Sequence, residues 1–191
     1  MLIGKYCVVL RITMLVLVTS ILSACVNEAG NLQRYKVFSV TPEQIAEAQR
    51  QRQPYIINKR GYIQTVQSID FYTRQWGKVR IMPNFVSDGS SLPFDNDPGS
   101  NMAALLHDAL YRAAPELRFP HGFPGRWTRA QADEAYCLQL RRQGAHEKLS
   151  KMNCRGVKAL GISQGVWHYH RHRREAYFRA HEQGKSSDAA R

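Results

Sequence analysis

The chain is short of acid: 15 Asp and Glu stand against 27 Lys and Arg, for a formal charge of +12. A surplus of that size calls for anionic partners. An apolar run long enough to cross a bilayer is also missing. The run from Met14 to Leu22 is broken by Thr19 and Ser20, and a spanning helix needs roughly 20 apolar residues. The sequence has no Gly-rich phosphate loop, no dinucleotide-binding glycine pattern and no His-Glu-x-x-His pair, which excludes the nucleotide and zinc-protease chemistries those motifs carry. Ser163-Gln164-Gly165 lacks the glycine two residues earlier that a nucleophile elbow requires. No internal repeat is visible, so a solenoid is excluded.

What is present begins with a leader. Residues 1–24 carry Lys5 and Arg11 but no acidic residue, then the short apolar run, then Leu22-Ser23-Ala24-Cys25. A charged start, an apolar middle and small residues at the end make a secretory signal. The Leu-Ser-Ala-Cys ending resembles the bacterial lipobox. That resemblance implies cleavage before Cys25 and acylation of its thiol. Each buried acyl methylene contributes about 0.8 kcal/mol, so two or three chains anchor a protein firmly. The expected location is a membrane surface outside the cytoplasm. Val26, rather than Asp, points by the same resemblance to the outer membrane, facing the periplasm, if the host is Gram-negative.

Without the leader, 167 residues with 25 basic and 15 acidic side chains remain, a length that suits one domain. In the cytoplasm such a charge suggests nucleic acid. Outside it, nucleic acid is not expected; anionic phospholipid or the anionic cell envelope is the counterpart. Cys7 leaves with the leader. Cys137 and Cys154 either pair, closing a loop that stabilises by about 3 kcal/mol, or stand as two buried thiols.

Residues 25–40 read as a tether. Thr41-Pro42-Glu43-Gln44 reads as a capped helix start, with Thr as N-cap, Pro at the first helical position and Gln closing a capping box. That helix should end before Pro54. One strand region is expected through Tyr62, Thr65, Val66, Ile69, Phe71 and Tyr72. Another passes through Val79, Ile81, Phe85 and Val86, with a hairpin turn at Arg74-Gln75-Trp76-Gly77. After a turn-rich loop at 87–100, the pattern predicts a helix over 101–113 with an apolar stripe. A Pro- and aromatic-rich loop covers 114–127. Thr128-Arg129-Ala130-Gln131 opens another capped helix, and one long helix is expected over 151–179. The fold class is therefore α+β: an N-terminal helix and a β-hairpin or small sheet, then a three-helix core. The globular domain should cover 41–183, and 184–191 reads as a disordered tail.

Chemistry concentrates at Leu105-Leu106-His107-Asp108-Ala109-Leu110-Tyr111. On a helix, His107 and Tyr111 share a face while Asp108 lies about 100° round the axis. Ionisable groups inside an apolar helix are costly unless a metal, a carboxylate or a reacting water offsets their desolvation. Asp88 precedes them in a glycine-containing turn, and Asp133 comes early in the next helix.

These residues carry two resemblances. Phe85-Val86-Ser87-Asp88-Gly89-Ser90-Ser91-Leu92-Pro93, Leu106-His107-Asp108-x-Leu110-Tyr111 and Ala132-Asp133-x-x-Tyr136 resemble an uncharacterised family of bacteria and tailed phages. That resemblance spans about residues 55–170 and implies a fold without an activity. The order Asp88, Asp95-Asn96-Asp97-Pro98, His107-Asp108-x-x-Tyr111-Arg112 and Asp133 is also similar to bacterial secreted phospholipase A2. Here the similarity implies His107 as the base that deprotonates water and Asp133 as its orienting carboxylate. Tyr111 would hydrogen-bond nearby, and Asp88 and Asp108 would be ligands of Ca²⁺. The chain departs from that family in lacking the cysteine pair around the calcium loop; Ser90 and Leu105 stand at about those places.

A last cluster, Trp167-His168-Tyr169-His170-Arg171-His172-Arg173-Arg174, reads as a solvated basic face suited to anionic headgroups. His168 and His172, one turn apart, could share a metal, but no acid or cysteine completes a site. Three functions are therefore open. The chain could be a membrane-anchored, calcium-dependent phospholipase-like hydrolase, a non-catalytic envelope or phage-derived lipoprotein, or a metal-dependent cell-wall hydrolase.

Overall fold

In the computed structural model the described residues are 40–58, 61–89, 98–143, 147–159 and 161–188. The chain parts into two units between Ser39 and Val40, and all of the described residues belong to the second. The leader, Cys25 and the tether lie outside the described residues, as do Ser90, Ser91 and Asp95-Asn96-Asp97. The fold is α+β, as the sequence pattern predicts, with two small antiparallel sheets and six helices among the described residues.

Helix α1, Pro42–Arg50, starts at the capping box: Gln44 N donates to Thr41 Oγ1 (3.3 Å) and Thr41 N donates to Gln44 Oε1 (3.0 Å). It leads into β1 (Tyr55–Ile57), β2 (Ile63–Thr65), β3 (Ile69–Thr73), β4 (Gly77–Ile81) and β5 (Val86–Ser87). The hairpin falls where the turn residues put it, with Thr73 opposite Gly77 and Gly77 at φ +62°. That left-handed conformation suits glycine. Strand β3 alternates cleanly: Ile69, Phe71 and Thr73 point inward, Asp70 and Tyr72 outward. Asp70 is held across the hairpin by Arg80 and Lys78, each at 2.6 Å.

One strand expectation needs correction. The region Tyr62–Tyr72 is two strands in different sheets, β1-β2-β5 and β3-β4-β6, where β6 is Leu117–Arg118. The cause lies between them. The N–H groups of Val66 and Gln67 both donate to Pro54 O (2.9 and 3.3 Å), so they bond a turn instead of a ladder.

Helix α2, Pro98–Arg112, supplies much of the apolar core among the described residues. Leu105, Leu106, Ala109 and Leu110 are fully buried against Phe71, Val79, Ile81 and Leu117. Its C-terminal carbonyls are capped by side chains from far along the chain. The Trp127 indole donates to Leu110 O (3.1 Å), and the Arg174 guanidinium donates to Tyr111 O (2.8 Å). Unpartnered carbonyls at a helix end are thereby satisfied, and a cation meets the negative end of the dipole.

Helix α3, Arg129–Arg142, opens with the Thr128 capping box and packs along α2; α4 is Glu147–Ala159. Cys137 on α3 and Cys154 on α4 form a disulfide with Cα atoms 5.3 Å apart, within the usual range.

The single long helix expected over 151–179 is three: α4, α5 (Gly161–Tyr169) and α6 (Arg171–Asp188). Residue 160, between α4 and α5, lies outside the described residues. Between α5 and α6 stands His170, whose N still donates to Val166 O (3.2 Å) while Arg174 N donates to His170 O (3.1 Å), so the turn keeps its ladder. Both side chains at this turn, His170 and Arg174, are buried. Helix α6 also runs on to Asp188, through Gly184, where the sequence suggests a disordered tail. A single glycine costs a helix only about 1 kcal/mol, too little to stop it.

Candidate active site

Residues His107 and Tyr111, one turn apart on α2, both face α3. There Asp133, five residues into that helix, is 1% exposed. A buried carboxylate must be met by donors, and three converge on it. The Tyr111 hydroxyl donates to Asp133 Oδ1 at 2.5 Å, and His107 Nε2 lies 3.0 Å from the same oxygen. The Arg129 guanidinium stands 3.7 Å from Oδ2. With Nε2–H bonded to the carboxylate, the lone pair of the neutral ring sits on Nδ1.

Aromatic packing holds this arrangement in place. The imidazole lies between the rings of Tyr111 and Tyr136, with centroids at 4.0 and 5.1 Å. Tyr111 meets Trp167 edge-on at 5.1 Å. Beyond it, the Arg174 guanidinium lies 3.4 Å over the Trp167 ring. Burial lowers the Arg174 pKa to about 10, because a cation withdrawn from water is less favoured.

A second cluster sits on the neighbouring face of the same helix. Ser87, at the end of β5, donates its hydroxyl to Asp108 Oδ2 (2.6 Å) and accepts from Gly89 N (3.0 Å). Arg112 donates to Asp88 Oδ1 (2.7 Å), to Asp108 Oδ2 (3.3 Å) and to Val86 O (2.9 Å). Burial, followed by the charge of Asp88, pushes the Asp108 carboxyl well above the usual carboxylate range, against the pull of Arg112 and Ser87. Gly89 is required: its φ is +77°, and a Cβ there would lie 3.0 Å from Gly61 O.

The sequence-predicted residues thus fall into two pairs, His107 with Asp133 and Asp88 with Asp108, on adjacent faces of α2. Sequence reasoning missed Ser87 and Arg112 as members. The signal for Arg112 was its place four residues after Asp108, the spacing at which helical ion pairs meet.

The basic cluster at 167–174 is only partly the solvated face expected of it. His168 and His172 are exposed, but His170 and Arg174 are 7% and 3% exposed. The spacing Trp167, His170, Arg174, Phe178 marks one inward stripe, and the density of charge hides it. Burial, then Arg112, Arg173 and Arg174, lower the His170 pKa to about 4, with Asp88 opposing. Its Nδ1 is buried and has no hydrogen-bond partner among the described residues.

Of the oxygens expected around calcium, Asp88 and Asp108 are described and those of residues 90–97 lie outside the described residues. That ion takes six to eight oxygen ligands. Here the two carboxylates converge on a guanidinium, whose charge opposes a second cation. No group of three or more His, Cys, Asp or Glu side chains able to hold a metal occurs among the described residues.

No protein-family model, curated protein or solved structure matches this chain. The site is read from its own chemistry.

Proposed function

We propose that this chain is a membrane-tethered hydrolase acting on esters of anionic phospholipid, anchored through an acylated Cys25 outside the cytoplasm. The reading is supported above all by one observation: His107 Nε2 lies 3.0 Å from a carboxylate that is itself fixed by Tyr111. With Asp133 on one ring nitrogen, His107 Nδ1 takes a proton from water. The resulting hydroxide attacks the ester carbonyl carbon and opens the C=O bond to a tetrahedral oxyanion. As that intermediate collapses, the ester C–O bond breaks and the imidazolium returns its proton to the leaving alkoxide. Asp133 stabilises the imidazolium and holds the ring in one tautomer. Calcium, suggested by the phospholipase resemblance, has no step here, because Arg112 neutralises the Asp88–Asp108 pair.

Release of fatty acid from phosphatidylglycerol vesicles tests this. His107→Ala should lower the rate by about 10²- to 10⁴-fold, the usual contribution of a positioned base, while a chelator leaves it unchanged. Absence of release by the wild-type protein, or its survival in His107→Ala, overturns the reading.

The depth of Asp133 favours a second reading, a non-catalytic envelope lipoprotein. A carboxylate 1% exposed and bonded from two turns of α2 is also a clamp between helices. In that case His107→Ala lowers the melting temperature and nothing else.

A further inference from the structure

A groove of about 740 Å³ lies beside α3, and most of its charged walls are cationic. Arg74 from the hairpin turn, Arg129, Arg141 and Arg142 from α3, and Lys158 from α4 line it. Two carboxylates share that lining among the described residues, and one of them, Asp133, stands 3.7 Å from Arg129. Asp133 is bonded to His107 and Tyr111, and Glu134 accepts from Gln75 Nε2. Arg142 is steadied by donating to Tyr72 O. Arg74, Arg141 and Lys158 are exposed and make no hydrogen bond or ion pair among the described residues.

Five cations against two carboxylates leave the lining with a positive surplus, which a ligand of the opposite sign would offset. The guanidinium fork and the ammonium group both suit phosphate oxygens. Two features restrict the ligand further. From Arg129 to Arg142 the helix rises roughly 20 Å, beyond the reach of one phosphate ion. The cations also line a concave surface, where a chain can lie and a flat bilayer cannot enter.

We propose that this groove binds a linear, phosphate-bearing polyanion through Arg74, Arg129, Arg141, Arg142 and Lys158. The proposal does not depend on catalysis at His107.

Calorimetric titration of the full chain in detergent with long-chain inorganic polyphosphate tests it, with orthophosphate and phosphatidylglycerol vesicles as comparisons. Polyphosphate should bind, with an affinity that falls steeply with salt, and orthophosphate about tenfold more weakly or worse. Arg141→Glu with Lys158→Glu should weaken polyphosphate binding by about tenfold or more. Arg171→Glu with Arg173→Glu, an equal charge change at exposed sites on α6, should change it by less than about twofold. Should the first pair fail to fold, Arg141→Gln with Lys158→Gln carries the test with a loss of about threefold. Equal losses for the two Glu pairs would show mere net charge and overturn the proposal. So would orthophosphate binding as tightly as polyphosphate, or loss of vesicle binding alone, which would mark a membrane face. His107→Ala leaves polyphosphate binding intact, so failure here and failure of the hydrolase reading are separable.

Discussion

Two carboxylates next to one helix make the sharpest contrast in this protein. Asp133 is met by donors only: a tyrosine hydroxyl, an imidazole and a guanidinium. Asp108, one residue beyond His107 and turned to the next face, meets a second carboxylate as well as its donors, Ser87 and Arg112. The same functional group therefore accepts from donors alone at one place, while at the other burial and a second carboxylate raise its pKa. What differs is the neighbour that the fold brings up, α3 on one side and β5 on the other. A residue type alone does not fix a role; at Asp108 burial comes first and the charge of Asp88 second.

The largest effect should come from breaking the acidic side. Arg112→Met strips both Asp88 and Asp108 of their cation and should cost about 3–5 kcal/mol in urea unfolding, as removal of one partner from a buried ionic group does. Next, the contrast itself can be measured with two isosteric changes. Asp133→Asn should lower stability by roughly 2–3 kcal/mol, since the amide presents hydrogens to a site built of donors. Asp108→Asn should stay within about 1 kcal/mol of wild type, because the amide oxygen can still accept from Ser87 and Arg112 while the repulsion with Asp88 is removed. Equal losses for the two would erase the distinction.

A smaller effect comes from His170. Its pKa falls from 6.5 in the open chain to about 4 in the fold, so the unfolded chain binds the extra proton first. Stability is then full above about pH 6.5 and declines as the pH drops toward 4, by on the order of 2 kcal/mol. His170→Asn should flatten that part of a pH series of melting curves. Tyr111→Phe removes one hydrogen bond to Asp133 at a cost of about 1–2 kcal/mol. It should alter the Asp133 side without touching the response of the acidic cluster to Arg112→Met.

Much of this contrast was legible in the sequence because it rests on local rules. The two capping boxes, the hairpin turn and the apolar stripe of α2 each arise from spacings of two to four residues. The pairing of His107 with Tyr111 on one face comes from the helical period. What was not legible depends on contacts between distant segments. The split of Tyr62–Tyr72 into two strands needs Pro54 O, and the inward turn of Arg174 needs the ring of Trp167 and the carbonyl of Tyr111. A run of eight residues with three arginines looks like a wetted surface until one asks which of them align with Trp167 and Phe178. Ser87 gave no signal of its own, since a serine closing a strand has many uses and only Asp108 shows which one applies here.

The stack of Arg174 over Trp167, with Tyr111 edge-on beneath, gives the protein an internal optical probe. The chain has three tryptophans, and the indole of Trp167 lies one ring away from the residue that holds Asp133. Its emission, isolated by replacing Trp76 and Trp127 with phenylalanine, should register any shift of the Tyr111 ring when a ligand or a proton reaches His107. The cation that closes the end of α2 therefore also makes the neighbouring site visible to light.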